Sequence, residues 1–123
     1  MIPEKMIEVL KYEGVVALVT NGKEGAHVVN TWNSYIKVTE DGKLLLPAGY
    51  MNTTEENIQS NNKVLMTLGS REVQGFNGPG TGFLIEGTAK FIKEGSEFGD
   101  MKQKFPWARA VVEVTVNSAT QTL

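Results

Sequence analysis

Side chains able to hold a ligand gather at two places in the sequence. One is Val28-Val29-Asn30-Thr31-Trp32-Asn33-Ser34-Tyr35, and the other is Asn52-Thr53-Thr54-Glu55. In a β-strand successive side chains point to opposite faces. Val28, Asn30, Trp32 and Ser34 then share one face, and Val29, Thr31, Asn33 and Tyr35 the other. Each face mixes apolar or aromatic groups with hydrogen-bonding ones, whereas a plain core strand keeps them apart. Such a surface suits a flat polar ligand. It also suits a barrel strand whose polar side chains pair with neighbouring backbone. At the second place Asn52, Thr53 and Thr54 are all good helix caps, and Thr53 with Glu56 has capping-box spacing. Free N–H groups and hydroxyls there can receive a phosphate, or can simply start the helix.

Catalytic constellations are scarce. The chain has no cysteine, which removes disulfides, thiolate metal sites, iron–sulfur clusters and thiol nucleophiles. The one histidine, His27, stands beside a turn with no nucleophile motif around it. Glu4/Glu8 and Glu55/Glu56 read as solvated helix faces with no reason for shifted pKa values. Residues 75–82 hold four glycines, but they lack a Gly-Lys-Ser/Thr ending and lead into a strand. They read as a flexible turn. The two tryptophans, Trp32 and Trp107, sit beside strand or loop ends. They could wall a heterocycle, or pack a core or a dimer contact.

The elements that must carry these groups follow from local pattern. Pro3 opens a helix over residues 2–13 with Met6, Val9 and Leu10 on one face, and Gly14 reads as its left-handed stop. Strands are expected at Val15–Thr20, through residues 28–35 to about Val38, at Lys43–Leu46, Lys63–Ser70, Phe83–Lys93 and Val111–Val116. Asn21–Gly25 and Asp41-Gly42 supply hairpin turns, and Pro47 closes the third strand. Helices are expected over 54–60 and from Ser96 to Lys104, with Asn117–Leu123 as a tail. Six strands with many hairpin turns and two or three short helices predict a mainly β, closed or nearly closed antiparallel barrel.

At 123 residues the chain suits a single domain over 1–123. Its net charge of −2 and lack of a Lys/Arg cluster argue against nucleic acid as a partner. No apolar run approaches a membrane span and the N-terminus lacks signal-peptide form, so the expected address is cytoplasmic.

Longer motifs then point to a family. Asn30-Thr31-Trp32-Asn33-Ser34-Tyr35, Pro47-Ala48-Gly49, Thr53-Thr54-Glu55, Val64–Arg71, Asn77-Gly78-Pro79-Gly80-Thr81-Gly82-Phe83 and Gln121-Thr122-Leu123 carry the likeness. Over essentially its whole length the chain resembles the small FMN-binding proteins of sulfate-reducing bacteria, within the pyridoxamine 5'-phosphate oxidase-like superfamily. The resemblance implies a six-stranded split β-barrel of Greek-key type and a homodimer with FMN at the subunit interface. It implies an electron carrier serving a redox protein partner. The alternative is a flavin reductase or pyridoxamine-phosphate-oxidase-like enzyme on the same barrel. By matching position, Asn30, Thr31 and Trp32 would line the FMN site, and Gly49 would pass close to the ring. Thr53 and Thr54 would hold the phosphate, Trp107 would pack near the ring, and Leu123 would reach the partner's flavin. In the family a basic residue commonly precedes the helix-start threonine, and here that position is Thr53. Losing one charged hydrogen bond to a phosphate costs about 1.5–3 kcal/mol. Lys37, Lys63 and Arg71 are the candidates to replace it.

Overall fold

The computed structural model describes residues 2–123. Its strands are β1 (Val15–Gly22), β2 (Gly25–Trp32), β3 (Lys37–Val38), β4 (Lys43–Ala48), β5 (Lys63–Gly75), β6 (Gly78–Ile92) and β7 (Ala110–Gln121). Three helices punctuate them: α1 (Glu4–Val9), α2 (Asn52–Ser60) and α3 (Ser96–Lys104). All strand pairs are antiparallel, in the order β2-β1-β5-β6-β7-β4-β3. Laid flat, seven strands would span about 29 Å. Yet the two outermost strands are joined by the five chain steps from Trp32 to Lys37, which reach at most about 18 Å. The sheet must therefore curl, and it wraps around a core that includes Leu18, Leu44, Leu46, Met66, Ile85, Val112 and Val114. Met6 and Val9 of α1 are fully buried in that core, as their spacing predicts.

Several boundaries differ from the sequence expectation, each for a physical reason. The expected second strand is cut at Trp32 by a 3-10 turn over Asn33–Tyr35, so six strands become seven. The break is held by Asn33, whose N–H donates to the Gly14 carbonyl and whose side-chain amide donates to Tyr12 and Gly69 carbonyls. Gly14 is not a left-handed helix stop, because α1 ends before it, at Val9. Its role is close approach: a Cβ there would stand 2.5 Å from the Gly69 carbonyl oxygen. Pro47 does not end β4 but pairs with Val111 inside it. It is tolerated because β3 is two residues long and pairs only as far as Leu45, leaving the other flank of Pro47 unpaired. The glycine-rich stretch is mostly strand, with only Phe76-Asn77 between β5 and β6. The expected tail is strand too: β7 shifts register past Asn117 and pairs on to Phe83↔Gln121.

Candidate functional site

The register Ala48↔Ala110 explains why two distant loops meet. The chain leaving β4 at Gly49 and the chain entering β7 at Arg109 leave the sheet side by side, tied by an Arg109 N–H to Ala48 carbonyl bond of 2.8 Å. Trp107 is thereby laid on Gly49, where a Cβ would come within 3.2 Å of its ring. Tyr35 and Phe105 brace the indole with ring centres 5.7 and 5.5 Å away. From the other side comes the end of β2. Asn30, Thr31 and Trp32, together with Gly49, Met51 and Trp107, line an open pocket of about 590 Å³. Tyr35 and Tyr50 complete its aromatic rim, and none of its lining residues is charged. Its size is in the usual range for small-ligand sites.

The face assignment along β2 holds. Val28, Asn30, Trp32 and Ser34 are exposed, while Thr31 and Asn33 are buried and Val29 and Tyr35 half-buried. Ser34 is fixed by Glu13, whose carboxylate accepts from the Ser34 hydroxyl at 2.7 Å and from its N–H at 3.1 Å. These bonds hold the Glu13 carboxyl below the usual glutamate range.

The pocket's last wall, Met51, is also the cap of α2, and here the expected capping box is absent. Met51 is the only non-glycine with positive φ among the described residues, at φ 49° and ψ 37°. No side chain caps the helix. The first intrahelical bond runs from the Glu55 N–H to the Met51 carbonyl. The N–H groups of Asn52, Thr53 and Thr54 therefore have no intrahelical acceptor. Thr53 is exposed, whereas Thr54 is 0% exposed and its hydroxyl oxygen has no hydrogen-bond partner. A short polar helix is held over the barrel end by Asn57, which donates to the Thr20 hydroxyl at 3.1 Å, and by buried Ile58.

Sequence reasoning missed the groups that anchor this helix start. Arg109 donates through Nε and Nη2 to the Tyr50 carbonyl, at 2.9 and 2.7 Å, and through Nη1 to Glu55 at 2.8 Å. The second Glu55 oxygen meets Lys93 Nζ at 2.6 Å. Glu55 is not a solvated face: its side chain is 13% exposed. Lys93 chiefly, opposed by burial and helped by Arg109, holds its carboxyl below the usual range. No spacing signal exists for partners 54 residues apart.

The other expected residues lie elsewhere. Leu123 lines a separate cleft of about 670 Å³ beside Arg71 and the glycine-rich hairpin. Its carbonyl is held by the Thr81 hydroxyl and the Gln121 amide, while the residue stays 64% exposed. Lys37 and Lys63 each line other concavities, and none of Lys37, Lys63 and Arg71 lines the aromatic pocket. Among the described residues there is no cluster of three or more His, Asp or Glu suited to a metal ion, and no helix long and apolar enough to cross a membrane.

Comparison with known proteins places these features in a family. The profile described as pyridoxamine 5'-phosphate oxidase matches residues 2–122. An FMN-binding protein of Nitratidesulfovibrio vulgaris (strain DSM 19637 / Miyazaki F) is 54% identical over 123 residues, covering 100% of both chains. Among solved structures, a variant of Group A Streptococcus HupZ superposes with a TM-score of 0.79 at 18% identity, covering 99% of this chain and 100% of that one. An FMN-binding protein from Syntrophomonas wolfei superposes with a TM-score of 0.73 at 12% identity, covering 98% and 85%. The two superpositions speak for the fold, a mainly antiparallel split barrel, and the profile match together with the close relative speaks for descent: the chain belongs to the pyridoxamine 5'-phosphate oxidase family.

Proposed function

We propose that this protein is a dimeric FMN-binding electron carrier, with the isoalloxazine ring in the pocket between β2 and Trp107. The observation that carries this reading is the junction of that uncharged aromatic pocket with the uncapped start of α2. Flat walls suit the ring, and a helix start with free N–H groups suits a phosphate. The buried, partnerless Thr54 hydroxyl is a donor in want of an acceptor, and it belongs to this helix start. The residues present therefore fit FMN. When bound, FMN supplies one- and two-electron chemistry, and the protein supplies binding and orientation.

Each residue then has a task. Trp32 and Trp107 exclude water from the ring. Asn30 and Thr31 offer amide and hydroxyl groups at its polar edge. Gly49 leaves room for ring and indole together. Thr53 and Thr54 hold the phosphate. The name of the 54% identical relative supports the ligand. Leu123 is exposed but fixed by its backbone, which suits a residue presented to a second copy, where it would cover the partner's flavin. FMN carries a charged phosphate and does not cross a bilayer unaided. The cytoplasm, where the chain would meet it, is the compartment this reading assigns.

The enzyme alternative would need a second anion site for pyridoxamine phosphate or a nicotinamide nucleotide. The absence of any charged residue from the pocket lining favours the carrier. Steady-state assays test the choice. The carrier reading expects the reduced protein to pass electrons to a redox protein, with negligible turnover of pyridoxamine phosphate and slow reduction by NADH. Rapid turnover of either would replace it with the enzyme.

A further inference from the structure

We infer that Arg109, Glu55 and Lys93 form a preset cationic clamp that supplies the counter-charge for the phosphate without touching it. This inference rests on the flavin reading and says how the site gains positive charge although no charged residue lines the pocket. Glu55 stands in the first turn of α2, beside Thr53 and Thr54. Alone, its carboxylate would repel a phosphate bound at that turn. Two cations sit on it, Arg109 at 2.8 Å and Lys93 at 2.6 Å. One negative and two positive charges leave the trio at +1, so Glu55 no longer repels an anion at that turn and the trio offsets the neighbouring Glu56 carboxylate.

Arg109 also does mechanical work that a free lysine would not. Its planar fork takes both the Tyr50 carbonyl and Glu55, and its guanidinium carbon lies 5.6 Å from the Phe91 ring centre. Tyr50 immediately precedes Met51, whose left-handed backbone persists only when its surroundings hold it. By fixing the Tyr50 carbonyl on one side of that turn and Glu55 on the other, Arg109 keeps the α2 N–H groups in one arrangement. It is a positioning residue.

The test is the ratio of FMN to riboflavin affinity, since the two differ only in the phosphate. Flavin-fluorescence quenching would be measured at low and high salt for the full chain, Lys93→Met, Arg109→Met and Arg109→Lys. The Lys93 side chain is half exposed, so Lys93→Met keeps the fold. It should weaken FMN about three- to tenfold at low salt with riboflavin unchanged, and salt should shrink the difference. Arg109→Met should cut the FMN preference about ten- to a hundredfold, with partial rescue by Arg109→Lys. Equal weakening of both flavins, or an unchanged preference in Lys93→Met, would overturn the clamp while leaving the flavin reading standing. A native protein that takes up neither flavin would overturn the flavin reading and the clamp with it.

Discussion

Gly49 and Asn33 separate two kinds of dependence at the scale of single residues. Gly49 is needed for space: an added Cβ would meet the Trp107 ring at 3.2 and 3.4 Å. Trp107 is half exposed and can give way. Gly49→Ala should therefore change stability by no more than about 0.5 kcal/mol. It should weaken FMN by about tenfold, or roughly 1.4 kcal/mol, because the indole is pushed into the ring's place. Parallel urea melts and flavin titrations check both halves; equal affinity would show that Trp107 does not face the ligand. Asn33 is needed for bonding. It is fully buried, and its amide joins α1's exit to β5 through the Tyr12 and Gly69 carbonyls, both at 3.0 Å. Asn33→Ala removes both bonds and should cost about 2 kcal/mol, seen as a lower urea midpoint. The alternation of residues 28–35 was readable from the two-residue strand period, and the two faces stay distinct even through the 3-10 turn. Which polar member turned inward to tie three segments was not, since the tie lies between residues 36 apart.

Among the elements, α2 shows most clearly what tertiary context adds. Its existence follows from threonines and asparagines ahead of a short polar run. Its start does not: local rules favour Thr53 as cap, but Met51 takes the place because Arg109 fixes the preceding carbonyl. The carboxylate network makes this element sensitive to acid. The folded-state pKa of Glu55 lies below its unfolded value, so the folded protein binds the proton less tightly. The stability it contributes is complete above the ordinary glutamate range and is lost as pH falls through the lowered folded value. Glu55→Gln should therefore flatten the acid limb of the stability–pH curve, measured by urea melts at a series of pH values. An acid limb of unchanged depth would remove Glu55 from the anchoring role. Pro47 teaches the same lesson in β4, since a proline reads locally as a strand end and only the shortness of β3 lets it stay.

At the scale of the molecule, the curl of the sheet and the pairing of β4 with β7 bring the two halves of the pocket together. The curled antiparallel barrel was foreseeable as a class, from strand count, hairpin turns and whole-length likeness. The meeting of Gly49 with Trp107 and of Glu55 with Arg109 was not, because register between strands as far apart in the chain as β4 and β7 leaves no periodic trace. We read residues 1–123 as one folding unit that pairs with a second copy. Unfolding should then follow a single transition by circular dichroism and by fluorescence, with a midpoint that rises with protein concentration. Deleting Leu123 should lower FMN affinity without altering the far-ultraviolet spectrum. Light scattering that reports a monomer at all concentrations would limit the site to one chain. In the proposed site FMN lies between Trp32 and Trp107, the only tryptophans in the chain. Titrating flavin-free protein with FMN while following tryptophan emission tests it most directly. A saturating quench of most of that emission is expected at one FMN per chain; no uptake, or uptake that leaves the emission unchanged, would rule out this placement.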